Sequence, residues 1–373
     1  MSGAVRLGLI VNPVAGLGGK VGLKGTDGAE IVRRALALGA TPVAPGRAAR
    51  ALARLERCRE GLSVVAGARA MGGDLARAHE FRTEVLAAGD RDQTSAADTK
   101  AAAADMERRG VDLILFAGGD GTTRDIVDAV GTRVPILGIP TGVKMHSAVF
   151  ATSPEAAADV VASHLSGRAQ AMRESEVMDV DEDALREGRV SARLHAVARV
   201  PFDRARVQHP KASSPSPDAS LDALCRQIAA EASADRLTLL GPGTTTQRIL
   251  AHLKLDGTLL GVDAVESGSL VAADLNEAQL LELLDGRPAT LVVGVVGGQG
   301  YVFGRGNQQL SPEVIRRVGL ANLEILAALD KVLALDPPTL RVDTGDPALD
   351  AELTGYRAVR IAPNRSIVLK VST

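Results

Sequence analysis

The stretch VDLILFAGGDGTT at residues 111–123 constrains the fold of this chain more than any other feature. Its first half is almost entirely apolar, with β-branched and aromatic side chains, which is typical of a buried strand in a parallel sheet. Glycines then end the strand, and residues 124–130 have helical periodicity. The stretch therefore predicts a strand, a glycine-rich loop and a helix in direct succession.

The loop between this strand and helix combines three glycines with one carboxylate, Asp120. Glycine permits positive φ and the close approach of a bulky anion, and the bare amides at a helix start bind anions with help from the helix dipole. A carboxylate beside a phosphate is repelled unless it binds a metal or takes a proton from a nucleophile, which favours phosphoryl transfer. The residues expected to form this phosphate site are Gly118, Gly119, Gly121 and Thr122, with Thr122 and Thr123 as helix caps.

Two further glycine loops follow predicted strands, one at residues 12–20 and one at residues 141–147. Alternating strands and helices imply a parallel, doubly wound sheet, and such sheets bind ligands beyond the carboxyl ends of their strands. A single glycine turn can be purely structural, but three such loops at one edge favour a binding site. Ligand contacts are therefore expected at Asn12, Gly16, Thr141 and Gly142, with Lys20 available for a phosphate.

Residues 236–253 repeat the order of apolar strand, glycine loop, threonines and helix. This second loop lacks the carboxylate, because Pro242 stands where Asp120 stands in the first. We interpret it as a second polar site, for the other half of a dinucleotide or for its phosphates. The alternative is a well-capped helix, since threonine commonly caps helices. The residues assigned to this site are Gly243, Thr244, Thr245 and Thr246.

Composition limits the class of partner. The net charge of −2 offers no broad basic field for nucleic acid or an anionic membrane. No apolar run approaches the roughly 20 residues of a membrane span. Cys58 and Cys225 form no metal-binding spacing and favour a reducing cytosol. We therefore expect a cytoplasmic protein that binds small molecules rather than nucleic acid or membrane, and a length of 373 residues suggests two domains.

The sequence Gly-Gly-Asp-Gly-Thr at residues 118–122 resembles the characteristic loop of the superfamily of NAD kinases, diacylglycerol and sphingosine kinases, and 6-phosphofructokinases. The sequence Asn-Pro-x-Ala-Gly at residues 12–16 is similar to the first loop of the NAD kinase and lipid kinase branches. Together with residues 241–246 and 297–309, these segments resemble the ATP-NAD kinase-like group that includes acetoin-catabolism protein X.

This resemblance implies an α/β fold, with an N-terminal Rossmann-like parallel domain, a β-rich C-terminal domain and a reaction in the cleft between them. The expected boundaries are residues 1–153 for the first domain, 154–338 for the second, and 339–373 for a tail that packs back on the first. In NAD kinases the loop aspartate is thought to activate the 2′-hydroxyl of NAD for attack on the γ-phosphate of ATP, with Mg²⁺. That role carries over to Asp120, while the metal ligands stay unassigned.

The resemblance thus implies a kinase that uses ATP or polyphosphate to phosphorylate NAD(H) or a related small hydroxyl compound. NAD kinases are commonly oligomeric, so a homo-oligomer is expected. Two departures leave the acceptor open. The Gly-Ser-Thr-Ala-Tyr loop of NAD kinases is matched at residues 243–247 without its serine and tyrosine. Their Asn-Glu or Asn-Asp pair, which contacts NAD, is not evident after Met172, and the pair of Asn276 and Glu277 falls late in the chain.

Two alternatives therefore remain beside phosphorylation of NAD(H). One is a kinase for a different small-molecule acceptor; a lipid is disfavoured because no basic amphipathic entry segment is evident. The other is a catalytically silent nucleotide sensor linked to a catabolic operon. Retention of Asp120 favours an enzyme over a sensor.

Overall fold

A computed structural model of the chain describes residues 5–23, 29–87, 94–142, 145–165, 171–180, 192–203, 206–207, 219–232 and 236–373. The strands in these ranges are β1 (Val5–Val11), β2 (Leu62–Ala66), β3 (Arg82–Val85), β4 (Leu113–Gly118), β5 (Ile136–Pro140), β6 (Met172–Val180), β7 (Ala192–Pro201), β8 (Leu237–Leu240), β9 (Val262–Glu266), β10 (Ser269–Leu275), β11 (Ala289–Gly294), β12 (Tyr301–Phe303), β13 (Leu323–Leu326), β14 (Thr339–Val342), β15 (Gly355–Ala362) and β16 (Arg365–Ser372). The α-helices are α1 (Ala29–Ala37), α2 (Ala44–Leu55), α3 (Gly73–Ala78), α4 (Ala96–Arg108), α5 (Asp120–Val130), α6 (Pro154–Leu165), α7 (Ala219–Glu231), α8 (Thr244–Leu253), α9 (Glu277–Leu283), α10 (Pro312–Val318), α11 (Leu329–Leu333) and α12 (Pro347–Leu353).

The first sheet has the order β3-β2-β1-β4-β5, and all of its neighbouring strands are parallel. Every residue of β4 is buried, as its nearly continuous apolar sequence predicts for a strand covered on both faces. Helix α2 packs against α6, and α4 packs against α5. The predicted parallel α/β domain is therefore confirmed, and β4 places the glycine loop beside the loops that follow β1 and β5.

The hydrophobic core of the first sheet extends beyond residue 153. It includes Ala157 and Val161 of α6, and Val177 and Val200 of the antiparallel pair β6–β7. This pair contacts α5 and β5, so it borders the helix that begins at Asp120. The boundary between residues 153 and 154 stays a prediction about separable domains, but α6 and β6–β7 pack with the first sheet.

The second sheet has the order β10-β9-β8-β11-β13-β15-β16-β14-β12 among the described residues. Its strands β8, β11 and β13 are parallel neighbours, whereas β15 and β16 form an antiparallel pair. The expected β-rich C-terminal domain is therefore confirmed. The segment at 339–373 supplies β14, β15 and β16 to this sheet, and its Asp343 forms an ion pair with Arg47 of α2.

Candidate functional site

The carboxyl ends of β1, β4 and β5 bring three loops together at one edge of the first sheet. Asn12 N donates to Ala117 O at 2.9 Å, which holds the loop after β1 against β4. Thr141 N donates to Gly118 O at 3.3 Å, which holds the loop after β5 against the other side of β4. Parallel pairing thus brings together residues that lie far apart in the sequence.

Asn12 connects the loop after β1 to the start of α5. Its Nδ2 donates to Thr122 Oγ1 at 2.9 Å, and its Oδ1 accepts from Val14 N at 3.2 Å. The asparagine therefore uses both ends of its amide, one to close a local turn and one to reach the helix. Gly16, in the same loop, has φ of +85°, and a Cβ there would lie 2.4 Å from Thr141 O. Glycine is thus required at position 16, where the loop after β1 passes close to the loop after β5.

The backbone around Asp120 differs from one of the two properties for which its glycines were expected, the positive φ. Gly118, Gly119 and Gly121 all lie in the described range 94–142, and none has positive φ; φ of Gly119 is −114°. A Cβ on Gly118 would lie 2.5 Å from the Thr122 side chain. Glycine at position 118 therefore leaves room for the first turn of α5, and the expectation of left-handed backbone in this loop was wrong.

The expected capping by Thr122 and Thr123 was also wrong. The N-cap of α5 is Gly119, with no side-chain cap, and both threonines lie buried inside the first turn. Thr123 Oγ1 donates back to Gly119 O at 3.1 Å, while Thr122 Oγ1 accepts from Asn12. Because the first intrahelical bond of this turn runs from Thr123 N to Gly119 O, the amides before it point out of the helix start.

Asp120 is the first helical residue of α5 and is only 9% exposed. Its Oδ2 accepts from His146 N at 2.8 Å, and its Oδ1 accepts from Ser147 N at 3.0 Å. The His146 ring is also near, with Nδ1 3.5 Å from Oδ2. The Asp120 carboxylate therefore holds the loop that follows β5. The helix dipole favours negative charge at this position.

Thr141 and Gly142 begin the loop after β5, whose later residues His146 and Ser147 donate to Asp120. Thr141 is 6% exposed, and its Oγ1 has no hydrogen-bond partner among the described residues. Gly142 O accepts from Gln308 Nε2 at 3.3 Å. The loop after β5 is thus contacted both by Asp120 and by Gln308, which belongs to the half of the molecule that contains the second sheet.

The second glycine loop precedes α8 at the carboxyl end of β8. Gly243 is the N-cap of α8, with φ of +142°, and a Cβ there would meet nothing closer than 4.0 Å. Thr246 Oγ1 donates to Gly243 O at 2.9 Å, while Thr244 is exposed. The loop adjoins the next parallel strand, because a Cβ at Gly294 of β11 would lie 3.7 Å from Thr245. It is an open helix start without a carboxylate.

The loop after β11 also contacts the first sheet's edge. Gln299 Nε2 donates to Met145 O at 2.9 Å, two residues from Ser147. Lys20, expected to be available for a phosphate, instead pairs with Glu277 Oε1 at 3.1 Å across the two halves.

A buried ion cluster joins the two halves of the molecule, and the sequence interpretation did not include it. Asp343 accepts from both terminal nitrogens of Arg47 and, at 2.7 Å, from Arg305 Nη1. Arg305 lies over the Tyr301 ring, 4.2 Å from its centroid, and donates to Thr152 O. One signal was visible in the sequence, because helical periodicity places Arg47 on the buried face of α2.

The charges of this cluster set the protonation of its members. Burial would raise the pKa of the Asp343 carboxyl, but the guanidinium groups of Arg47 and Arg305 outweigh it and lower the pKa to about 2. Burial raises the pKa of the Tyr301 phenol. Asp343 is therefore ionised at neutral pH, and its single negative charge faces two positive charges.

The residues needed for a closed protein metal site are absent from the part of the chain that the structure describes, since no group of three or more His, Cys, Asp or Glu side chains could hold an ion. Within the same residues, no helix has the length and apolar character needed to cross a membrane. Cys58 and Cys225 are both free thiols. The described residues thus include two helix starts that follow glycine loops, and the start of α5 carries a buried carboxylate. A helix start can bind phosphate, and a carboxylate can accept a proton.

Comparison with protein families agrees with this arrangement of two parts. The model of the ATP-NAD kinase N-terminal domain matches residues 7–169, and that of the ATP-NAD kinase C-terminal domain matches residues 235–371. The chain therefore belongs to the ATP-NAD kinase family, as the glycine loops predicted, and it is a kinase of the NAD-kinase type. A comparison with curated proteins finds no match. The narrower resemblance to acetoin-catabolism protein X stays a prediction.

Proposed function

We propose that this protein transfers a phosphoryl group from ATP or polyphosphate to the 2′-hydroxyl of NAD(H) or of a closely related small molecule. The observation that carries the proposal is the placement of Asp120. Its carboxylate stands at the start of α5, is buried, and is held by the amides of His146 and Ser147. A fixed carboxylate beside outward-pointing helix amides combines a proton acceptor with an anion site.

In the proposed reaction, the acceptor hydroxyl oxygen attacks the terminal phosphorus of the donor. A new O–P bond forms, the bond from that phosphorus to the leaving phosphate oxygen breaks, and the hydroxyl proton passes to a carboxylate oxygen of Asp120. Each of these oxygens accepts one amide, which leaves lone pairs free to accept a hydroxyl proton. The amides at the start of α5 would face the phosphate charge.

The remaining predicted contacts divide between the two helix starts. In the proposal, the first group surrounds the phosphates and the acceptor, and the second binds the rest of the nucleotide. The first group is Asn12, Gly16, Gly118, Gly119, Gly121, Thr122, Thr141 and Gly142. The second group is Gly243, Thr244, Thr245 and Thr246.

Magnesium fits this site as a companion of the donor phosphates rather than as a resident ion. Mg²⁺ is commonly bound by one or two carboxylates together with phosphate oxygens and water. Asp120 is the carboxylate that the described residues place at the start of α5. When bound, the ion would neutralise charge on the transferred phosphoryl group.

The acceptor is the least constrained part of the proposal. The pair of Asn276 and Glu277 does not replace the missing acceptor contact, because Asn276 Oδ1 accepts from Gln279 N as the cap of α9. Glu277 meanwhile pairs with Lys20. This engagement favours retaining a related small hydroxyl compound as the second candidate acceptor.

The test is an enzyme-coupled assay for NADP with NAD, magnesium and either ATP or polyphosphate, followed by a panel of small hydroxyl acceptors. Formation of NADP supports the proposal in full, and turnover with another acceptor supports the kinase but replaces its substrate. Nucleotide binding without turnover on any acceptor would contradict it and leave a silent sensor. We also propose a cytoplasmic homo-oligomer that binds no nucleic acid, which light scattering and a nucleic-acid binding assay would check.

A further inference from the structure

One peptide bond, between Met145 and His146, connects Asp120 to the second sheet's side of the molecule. The N–H of this peptide, His146 N, donates to Asp120 Oδ2 at 2.8 Å. The C=O of the same peptide, Met145 O, accepts from Gln299 Nε2 at 2.9 Å. Gln299 and Asp120 therefore bind opposite ends of one rigid, planar group.

This geometry makes the two hydrogen bonds depend on each other. A donor at the carbonyl polarises the peptide, and the N–H of that peptide then becomes a stronger donor to the carboxylate. The bond at the carbonyl also fixes the orientation of the peptide plane, which sets where the N–H points. Met145, His146, Gln299 and Asp120 are all less than 10% exposed, so water does not screen this pair of bonds strongly.

Gln299 is held firmly enough to act in this way. It lies between Gly298 and Gly300, both with positive φ, in the tight turn that joins β11 to β12. Gly300 N donates to Val296 O at 2.8 Å, which closes the turn. A Cβ at Gly300 would lie 2.9 Å from Thr339 O, so β14 packs closely behind the turn. The glutamine therefore reaches the first sheet's edge from a fixed backbone.

We propose that Gln299 is a positioning residue for Asp120 and acts through the Met145–His146 peptide. The half of the molecule that contains the second sheet would then have to pack correctly against the first sheet for the Asp120 carboxylate to contact the acceptor hydroxyl. The inference rests on the proposed function for its kinetic consequence, but the hydrogen-bond relay itself can be measured without any activity.

The relay is tested by NMR of the full-length protein labelled with ¹⁵N-histidine, because the chain has only six histidines. The His146 amide is identified as the signal missing from His146→Gln. In Gln299→Met, which keeps the length of the side chain but cannot donate, the His146 amide proton should move upfield as its hydrogen bond weakens. Gln299→Asn, one methylene too short, should have the same effect and is the second variant if Gln299→Met does not fold.

Gln308→Met is the matched control. Gln308 Nε2 also donates to the loop after β5, but to Gly142 O, four residues before His146. This variant loses a comparable contact between the two halves and should leave the His146 signal in place. An unchanged His146 signal in Gln299→Met and Gln299→Asn, or an equal shift in Gln308→Met, overturns the relay.

The kinetic test is a double-mutant cycle. Gln299→Met should lower kcat about 10- to 100-fold with KM unchanged, since small misplacement of a reacting group has effects of this size. In an Asp120→Asn background the same substitution should have no further effect, because the group it positions is gone. An equal loss of kcat in both backgrounds shows that Gln299 acts elsewhere and overturns the proposal. If wild type transfers no phosphate to any acceptor, the proposed function fails, and the His146 signal alone decides the relay.

Discussion

The two glycine loops follow the same sequence order but differ in how they are built. At the first, Gly118 leaves room for Thr122, Asn12 bonds to that threonine, and Asp120 holds the amides of two later residues. At the second, Gly243 has φ of +142°, and the nearest atom to a Cβ built there is Thr246 Oγ1 at 4.0 Å. One loop is closely packed around a carboxylate, and the other is an open helix start.

We expect this difference in structure to correspond to different roles for the two loops. A packed loop with a fixed carboxylate can orient a reacting group within a fraction of an ångström, which catalysis requires. An open helix start can bind an anion through its amides without such precision. We therefore expect changes in the first loop to affect turnover and changes in the second to affect nucleotide affinity.

The largest expected effect is the loss of turnover in Asp120→Asn. Asparagine keeps the size of the side chain but does not take the proton, so kcat should fall by about 10²–10⁴-fold. The substitution also turns one acceptor of a backbone amide into a donor, which should cost about 1–3 kcal/mol of stability. Initial rate, nucleotide affinity and the free energy of unfolding would be measured together.

Asp263→Asn is the matched control for this loss of stability. Asp263 is 1% exposed and accepts from Thr258 N at 2.7 Å and Asp274 N at 3.0 Å, far from the first loop in sequence. It should lose comparable stability and keep its turnover. Near-normal turnover in Asp120→Asn would remove this carboxylate from the mechanism and make the two loops functionally alike.

The second effect concerns nucleotide affinity at the open loop. Gly243→Val places a β-branched side chain at φ of +142°, which should cost about 1–3 kcal/mol in backbone strain. It should also weaken nucleotide binding about tenfold, the equivalent of about 1.4 kcal/mol, by moving the amides at the start of α8. Isothermal titration with ATP and with NAD would measure this.

Gly355→Val supplies the control for strain alone. Gly355 has φ of +119°, and a Cβ there would meet nothing within 4 Å. It lies at the start of β15, outside both glycine loops in the sequence. Equal loss of nucleotide affinity in the two valine variants would show that the effect is global and that the second loop has no special part in binding.

Acid should act on the contact between the two halves that Arg47 of α2 forms with Asp343. The pKa of Asp343 lies near 2 in the folded protein, against an ordinary value of 3.8. A lowered pKa means that the ion pair stabilises the fold fully above about pH 4. Roughly 2 kcal/mol of that stability should be lost as the pH falls from 4 to 2. Urea unfolding at a series of pH values would measure it.

Arg47→Leu tests this assignment while leaving Asp343 paired with Arg305. With one guanidinium gone, the pKa of Asp343 should lie closer to its ordinary value, so the dependence of stability on pH should be shallower than in wild type. An identical dependence would mean that other carboxylates cause the acid sensitivity. High salt should change little, because both side chains are less than 10% exposed.

The smallest effect is expected from Asn12→Ala. Loss of the bond to Thr122 Oγ1 should cost about 1 kcal/mol of stability. Thr122→Val should cost a similar amount, and the double variant should lose less than the sum, since both remove the same bond. Additive losses would show that the bond contributes nothing and that the first loop is no more tightly built than the second. Chemical denaturation of the four proteins would decide.

Much of the fold follows from periodicity in the sequence. The apolar run before Gly118 is buried along its whole length in β4, as its composition predicts. The helix after Gly243 was similarly visible, because residues 236–253 repeat the order of apolar strand, glycine loop, threonines and helix. The family followed from the resemblance of residues 118–122 and 12–16 to the loops of NAD kinases.

What the sequence could not supply were contacts between distant residues. The amides that hold Asp120 belong to His146 and Ser147, and every residue type has such an amide. The reason for Gly118 lies in the position of Thr122, which depends on where α5 begins. The pairing of Arg47 with Asp343 spans almost the length of the chain, so local pattern held no information about it.

The buried ion cluster also limits which substitutions can be accepted at its three positions, Arg47, Asp343 and Arg305. Loss of Asp343 alone would leave two buried guanidinium groups without a negative charge beside them. Breaking a buried ion pair in this way typically lowers the stability of the folded state by about 3–5 kcal/mol. Joint replacement of all three by apolar side chains of similar volume is often neutral or stabilising. Viable descendants should therefore change these positions together, so a library randomised at all three should return either the charged trio or wholly apolar sets.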